Sequence, residues 1–182
     1  MTVRKLVFAL ALACVAAIAP IAAGNAASVT RIKAVTSAPT VKINRYIQSG
    51  LRWNRDIYPV RSGGTLHIVN RAAGEGPHTF TVVRPKDEPH TGLQVVRCLI
   101  CAKLGKAHGA DPSSDAPPTF PFLENGVGQA TPPLVDRAGD SGITGAGKLG
   151  EYINLKVTAR RGTKLHFMCL IHPWMQAEVD VT

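Results

Sequence analysis

The feature that most constrains this sequence is a group of metal-binding side chains near its end. The segment 169–175 reads CLIHPWM and supplies a thiol (Cys169), an imidazole (His172) and a thioether (Met175). A second imidazole, His78, lies 91 residues earlier in the chain. These four side chains can share one ion only if the fold places residue 78 beside the segment 169–175. A metal site would therefore fix the relation between two distant parts of the chain.

The residue types in this group match the ligand preferences of copper. Thiolate and thioether sulfur suit Cu(I), and imidazole nitrogen suits both oxidation states. Two His, one Cys and a weak axial Met form the ligand set of a type 1, or blue, copper site. The alternative interpretation is that Cys169 and Met175 pack in a core while His172 lies at the surface, because Met often fills gaps in cores.

The segment 169–175 resembles the ligand loop of the cupredoxins. Its Cys-x-x-His-x-x-Met spacing is most similar to that of amicyanin, whereas plastocyanin-type loops are longer between His and Met. Upstream, GGTLHIVN at 63–70 and PHTFTV at 77–82 resemble the strand, loop and first-ligand strand of the family. The resemblance covers residues 38–84 and 151–182, which is less than half of the chain.

This resemblance implies a Greek-key β-sandwich that binds one copper ion. His78, Cys169 and His172 would be the equatorial ligands and Met175 the axial ligand. The sequence departs from the family at Thr79, because the residue after the first ligand is commonly an Asn whose side chain ties the two ligand loops together. It departs again in the long separation between His78 and Cys169, which indicates an insertion.

The strand pattern independently predicts an all-β fold. Short alternating or apolar runs at 65–70, 78–83, 152–158, 164–169 and 177–181 are separated by glycine-containing turns. The segment 41–46 also alternates, and 28–37 reads as a polar leader or an edge strand. Many short strands and few helices predict a β-sandwich, in a single domain from residue 28 to residue 182. Trp53 is interpreted as a core aromatic residue, and His67 as a hydrogen-bonded structural histidine.

The insertion, at about residues 85–150, combines a helical pattern with a loop composition. Thr91 and Gln94 have the spacing of a capping box, and apolar residues then recur at helical intervals up to Leu104. One helix of about three turns is therefore predicted. Residues 105–150 contain nine glycines and six prolines, which is typical of a loop.

Apart from Cys14, the cysteines are a close pair, Cys98 and Cys101, and a single residue, Cys169. Cys98 and Cys101 lie three residues apart on the predicted helix, a spacing that a disulfide accepts. A structural disulfide is the favoured interpretation. A redox-active pair and a second metal site with His90 or His108 are the alternatives. Cys169 is then the odd thiol, which a metal would explain.

The N-terminal segment has the pattern of a secretory signal peptide, assigned to residues 1–26. Arg4 and Lys5 precede the apolar run 6–18, and small residues follow at a cleavage region within 23–27. The rival interpretation is an uncleaved anchor. Cys14 lies inside the apolar run and would be removed with the signal. A periplasmic or secreted location follows, which also permits the Cys98–Cys101 disulfide.

The net charge of +9 becomes +7 when Arg4 and Lys5 are removed. Residues 28–71 contain eight basic residues and one acidic residue. A basic face formed by them could steer an acidic redox partner. A solvated basic surface without a partner is an equally good interpretation. No nucleic-acid partner is expected for an exported chain in which basic and aromatic residues are not interleaved. No stable membrane insertion is expected after cleavage of the signal.

The resulting prediction is an exported electron-transfer protein that is not an enzyme. It would exchange single electrons with an unidentified redox donor and acceptor. The alternative is a periplasmic copper-binding or copper-delivery protein, which a chain with only three Met does not favour. A multicopper enzyme is not favoured, because it would need more copper centres and a second domain. A binding module without metal is not favoured either, because it would not need the four ligand residues.

Overall fold

The computed structural model describes residues 28–72, 74–111, 113–114 and 116–182. The predicted signal peptide at 1–26 lies outside these residues. Within the described residues, no helix is both long enough and apolar enough to span a membrane.

Two sheets face each other across the main hydrophobic core. The first sheet has five strands, in the spatial order β10 (Leu134–Val135), β12 (Tyr152–Val157), β6 (Thr65–Asn70), β1 (Val29–Val35) and β4 (Arg52–Trp53). The second sheet has seven strands, in the order β5 (Ile57–Val60), β14 (Gln176–Val181), β13 (Lys164–Met168), β7 (Thr79–Val82), β11 (Ser141–Ile143), β8 (Phe122–Glu124) and β9 (Val127–Gln129). The predicted β-sandwich with an inserted segment between His78 and Cys169 is therefore confirmed.

Alternating side chains make the core of the sandwich. In β12, every second residue (Ile153, Leu155 and Val157) is buried, while the residues between them are exposed. Phe167 of β13 lies at the centre of an aromatic cluster, with its ring centroid 4.4 Å from that of Phe80. The predicted core residue Trp53 belongs to the same cluster, 5.5 Å from Phe167.

Two predictions about the first part of the chain need correction. The segment 28–37 is neither a leader nor an edge, because β1 pairs with both β6 and β4. The segment 41–46 is not one strand but part of an exposed hairpin of β2 (Thr40–Lys42) and β3 (Tyr46–Gln48). The chain reverses at Asn44, whose φ of 60° lies in the left-handed region that Asn tolerates better than most residues.

The single predicted helix is in fact two helices, α1 (Gly92–Val96) and α2 (Leu99–Ala107), which follow a short 3₁₀ turn (Pro85–Asp87). The predicted capping box is present: Gln94 N–H donates to Thr91 Oγ1 at 3.2 Å, and Thr91 N–H donates to Gln94 Oε1 at 3.0 Å. The helix breaks at Cys98, which has a non-helical backbone and accepts a hydrogen bond from Cys101 N–H at 3.3 Å.

Cys98 and Cys101 form a disulfide, with their Cα atoms 5.2 Å apart. The predicted pair is therefore confirmed, and a second metal site at these sulfurs is excluded. The predicted apolar helix face is buried only in part, because Leu104 packs into a second cluster with Val83 and Met168 while Val96 of α1 is exposed.

The glycine-rich part of the insertion is not simply a loop, because short strands in it extend the second sheet. β11 pairs with β7, and β8 pairs with both β11 and β9. The β8–β9 hairpin turns at Asn125-Gly126, where both residues have positive φ, a combination that favours tight hairpins. Gly142 in β11 lies close to the core, because a Cβ there would be 2.6 Å from Ile153 Cδ1 and the Ile153 side chain would have to move.

Phe167→Ala should lower the free energy of unfolding by about 3–5 kcal/mol, since it removes the centre of the aromatic cluster. Urea denaturation measures this change. Leu149→Ala is the control, because Leu149 is 60% exposed and its loss should change stability by about 0.5 kcal/mol or less. Equal effects of the two substitutions would contradict the assigned core.

Candidate metal centre

The pairing of β7 with β13 brings the two predicted ligand segments together. These strands are antiparallel neighbours, with Met168 opposite Thr81. Because the start of one antiparallel strand lies beside the end of the other, His78, just before β7, and Cys169, just after β13, meet at one end of the sandwich. The chain then turns through residues 170–175 and enters β14.

Three of the four predicted ligand residues form one cluster. Donor atoms of His78, Cys169 and His172 all lie within 4.8 Å of one another. Cys169 Sγ is 4.0 Å from His78 Nδ1 and 3.6 Å from His172 Nδ1. An ion about 2.0 Å from each nitrogen and about 2.3 Å from the sulfur would separate nitrogen and sulfur by about 3.5–3.9 Å. The observed 3.6 Å lies within this range and the observed 4.0 Å just above it, so the cluster has the size that a single metal ion requires.

Met175, the predicted axial residue, is buried at the same end of the core. Its side chain is 1% exposed and belongs to the hydrophobic cluster that also contains Cys169. Its backbone closes the segment, because Cys169 N–H donates to Met175 O at 3.0 Å and Met175 N–H donates to His172 O at 2.8 Å. Trp53 Nε1–H also donates to Met175 O, at 3.1 Å.

Thr79, where the sequence departs from the Asn that is common in the family, nevertheless joins the two ligand segments. Leu170 N–H donates to Thr79 Oγ1 at 2.7 Å, and Thr79 N–H donates to Cys169 Sγ at 3.3 Å. A hydroxyl thus accepts the hydrogen bond between the segments, and the sulfur receives a backbone N–H donor.

The environment of the cluster favours neutral imidazoles and penalises a free thiolate. Burial and, to a smaller extent, the nearby His172 together lower the pKa of His78 to about 4. Burial also lowers the pKa of His172 and raises the pKa of the Cys169 thiol, although hydrogen bonds from Thr79 partly oppose the effect on Cys169. Neutral imidazole is the form that binds a metal, and a bound cation would compensate the thiolate charge.

His78 Nε2 is buried and has no hydrogen-bond partner among the described residues. Its other ring nitrogen, Nδ1, is the one that faces the sulfur. An uncharged ring with Nε2 protonated leaves the Nδ1 lone pair free to bind an ion. The donor set is thus two imidazole nitrogens and one thiol, with a thioether residue beside them.

Two residues of the cluster are buried, and the third approaches the surface. His78 and Cys169 are fully buried, whereas His172 is half-buried. Ile171 and Trp174, on the same segment, are each 45% exposed. Pro173, between His172 and Trp174, is buried.

The sequence did not reveal the contribution of the insertion to this centre. Thr144 is fully buried and holds the backbone of His78: His78 N–H donates to Thr144 Oγ1 at 3.1 Å, and Thr144 N–H donates to His78 O at 2.9 Å. No local motif marks Thr144, because it acts across 66 residues of sequence.

The Nδ1 atom of His67 is hydrogen-bonded to Asn154 Oδ1 at 2.8 Å. This contact confirms the structural role that was predicted for His67.

No family model matches this sequence. A search of curated proteins also found no match. Among solved structures, auracyanin from Roseiflexus castenholzii is 16% identical, with a TM-score of 0.45 over 86% of this chain and 99% of that chain. Auracyanin A from Chloroflexus aurantiacus, described as a "blue" copper protein, is 13% identical, with a TM-score of 0.46 over 86% of this chain and 100% of that chain.

A purple cupredoxin from Nitrosopumilus maritimus is 12% identical, with a TM-score of 0.40 over 84% of this chain and 98% of that chain. These neighbours are cupredoxins, the family that the ligand segment resembles. They do not confirm the amicyanin-type or plastocyanin-type assignment. At these scores, the description of the fold rests on the strand pairing given above.

The free energy of unfolding of the metal-free protein should fall as the pH drops from 6.5 to 4. An unfolded His binds a proton near pH 6.5, whereas folded His78 does so near pH 4, so the unfolded state holds more protons in this interval. His78 should contribute roughly 2–3 kcal/mol to the decrease. Urea denaturation at pH 7 and pH 4.5 measures it, and His78→Gln should show a smaller decrease. An unchanged decrease in His78→Gln would count against burial of a neutral His78.

Proposed function

We propose that this protein is a type 1 copper protein that carries single electrons between redox partners. The observation that supports this function is the donor cluster of His78, Cys169 and His172, with the thioether of Met175 buried beside it. Two imidazoles, a thiolate and a weak axial thioether are the donors of blue-copper electron-transfer sites. When bound, copper supplies a one-electron couple between Cu(I) and Cu(II).

The residues of the site are held in place by hydrogen bonds from the surrounding protein, which suits repeated electron transfer. Thr79, the backbone bonds within 169–175 and Thr144 fix the ligand segments from different sides. Ligands fixed in this way limit the rearrangement between oxidation states. The apolar residues around the Cys169 sulfur exclude water, which is one of the factors that set the potential of such a site.

Electron exchange would occur at the half-buried His172, by analogy with the cupredoxins. The exposed side chains of Ile171 and Trp174 flank it and offer an apolar contact surface. The partners would be a redox donor and a redox acceptor protein. The excess of basic residues in the first part of the chain favours an acidic partner. We also propose export, on the pattern of residues 1–26.

The alternative function is copper binding for delivery to another protein. The half-buried His172 gives this alternative some support, because a receiving protein could reach it. The burial of Cys169 and Met175 favours retention instead. Addition of a high-affinity Cu(I) chelator to the reduced, copper-loaded protein separates the two functions. Release of copper within seconds would favour delivery, and retention over hours would favour electron transfer.

Addition of Cu(II) to the purified protein should produce an intense blue absorption band that a reductant bleaches. Cys169→Ser should abolish the band, because it removes the only thiolate of the cluster. Cys98→Ser/Cys101→Ser is the matched control and should keep the band. Loss of the band in the control alone would move the copper site to the insertion and overturn the proposal.

Met175→Leu should keep a thiolate-to-copper band and raise the reduction potential. Leu fills a similar volume but cannot donate to Cu(II), so the oxidised form loses more stabilisation than the reduced form. Cyclic voltammetry of the copper-loaded proteins measures the change. An unchanged or lower potential would count against Met175 as the axial ligand.

A further inference from the structure

The hairpin of β2 and β3 stands apart from the β-sandwich. Among the described residues, its two strands pair with each other and belong to neither of the two large sheets. Every residue from 36 to 49 is exposed, so both faces of the hairpin are open. A two-stranded hairpin is only marginally stable in water without further contacts. The segment 36–50 is therefore an exposed arm that is open to a binding partner.

The arm carries large apolar side chains at its turn and on one face. Ile43, in the turn, is 85% exposed. Val41 and Ile47 lie directly opposite each other in the two strands, and they are 59% and 77% exposed. Directly opposite residues share one face of a hairpin. Contiguous apolar side chains at the surface are typical of an interaction site.

The arm is also basic. It contains Lys42 and Arg45 and no acidic residue. Lys42 Nζ lies over the ring of Tyr46, 5.5 Å from its centroid. Glu75, which accepts a hydrogen bond from the threonine at the start of the arm, offsets one of these charges. A partner with a negatively charged surface is therefore favoured.

Hydrogen bonds fix the base of the arm to the rest of the protein. Arg52 Nη1 donates to Ser37 Oγ at 3.2 Å and to Gly50 O at 3.0 Å, which ties the two ends of the arm together. Leu51 follows the arm, and its carbonyl oxygen accepts from Trp174 Nε1–H at 3.2 Å. The arm therefore leaves the β-sandwich beside the candidate metal centre.

An anionic lipid surface suits this arm better than a protein surface does. The core of a protein interface is packed as closely as a protein interior and needs a complementary shape. A lipid surface is fluid and can surround a hairpin that is exposed on both faces. Tyr and Lys are typical of the boundary between lipid and water, where the ring lies among headgroups and the long Lys chain reaches the polar layer. Basic residues add attraction to anionic lipids.

We propose that the arm binds reversibly to the surface of anionic membranes. Ile43, Val41 and Ile47 enter the boundary between headgroups and acyl chains, while Lys42 and Arg45 contact lipid phosphates. This binding needs no membrane-spanning segment. It goes beyond the proposed electron transfer and does not depend on bound copper. It would hold the candidate metal centre close to redox partners at the membrane.

The test is hydrogen exchange of the amides of residues 40–48 in the full, metal-free chain. This local readout is needed because the apolar run 6–18 can also bind lipid. Vesicles of equal parts phosphatidylglycerol and phosphatidylcholine should slow the exchange at least about tenfold, because insertion stabilises a hairpin that opens readily in water. Vesicles of phosphatidylcholine alone should slow it much less. Equal exchange with and without the anionic vesicles would overturn the proposal and indicate a protein partner instead.

Two variants separate the charged and the apolar contributions. Lys42→Gln/Arg45→Gln removes two charges that each contribute about fivefold, so roughly 25-fold more anionic lipid should be needed for the same slowing. Ile43→Ser/Ile47→Ser should need at least about tenfold more. Lys106→Gln/Val127→Ser is the matched control, since it removes one exposed charge and one exposed apolar side chain from the insertion. It should behave like the unchanged chain.

The variants also decide against the proposal where their results differ from these. No effect of Lys42→Gln/Arg45→Gln, or an equal effect of the control, would overturn it. If the two Ser substitutions prevent the hairpin from forming in solution, Lys42→Gln/Arg45→Gln decides, because its apolar side chains are intact. The chain carries no copper in these measurements. Absence of a blue band would therefore reject the copper function and leave the membrane result standing.

Discussion

The contact between the start of β7 and the end of β13 determines the rest of the candidate metal centre. Backbone pairing of these two strands brings His78 to Cys169, although 91 residues separate them in the sequence. Thr79 then secures the two segments to each other through its hydroxyl and its N–H group. The aromatic cluster around Phe167 lies directly beneath the centre and fixes the strands that carry it.

The ligand residues could be predicted because their residue types and their short spacing indicate metal binding. Cys169, His172 and Met175 lie within one turn of the chain, so their proximity needs no knowledge of the fold. His78 could be included because PHTFTV at 77–82 resembles the first-ligand strand of the cupredoxins. The β-sandwich followed from alternation in β6, β12 and β13, where one face of each strand meets the core.

The insertion could not be predicted to the same degree, because long-range pairing decides its structure. Its strands are two or three residues long and depend on β7 and β12 for partners. Asn125-Gly126 was the one local signal of a hairpin that the sequence interpretation did not use. Thr144 and His108 make contacts across 66 and 33 residues, which local spacing in the sequence does not indicate.

The insertion is therefore an integral part of the β-sandwich and not a loop on its surface. β11 extends the sheet beside β7, Thr144 holds the backbone of His78, and Ser141 contacts His108 at the end of α2. The disulfide at Cys98 and Cys101 stabilises the start of α2, whose other end is His108. The segment thus forms one wall of the centre.

X-ray absorption spectroscopy of the copper-loaded protein tests the central claim most directly. Measured in the oxidised and the reduced state, copper should have two nitrogen ligands and one short sulfur ligand in both, with little change in bond length. That result would mean that His78, Cys169 and His172 hold the ion through the redox cycle. A copper environment without the short sulfur ligand, or one that exchanges ligands between the two states, would contradict the account.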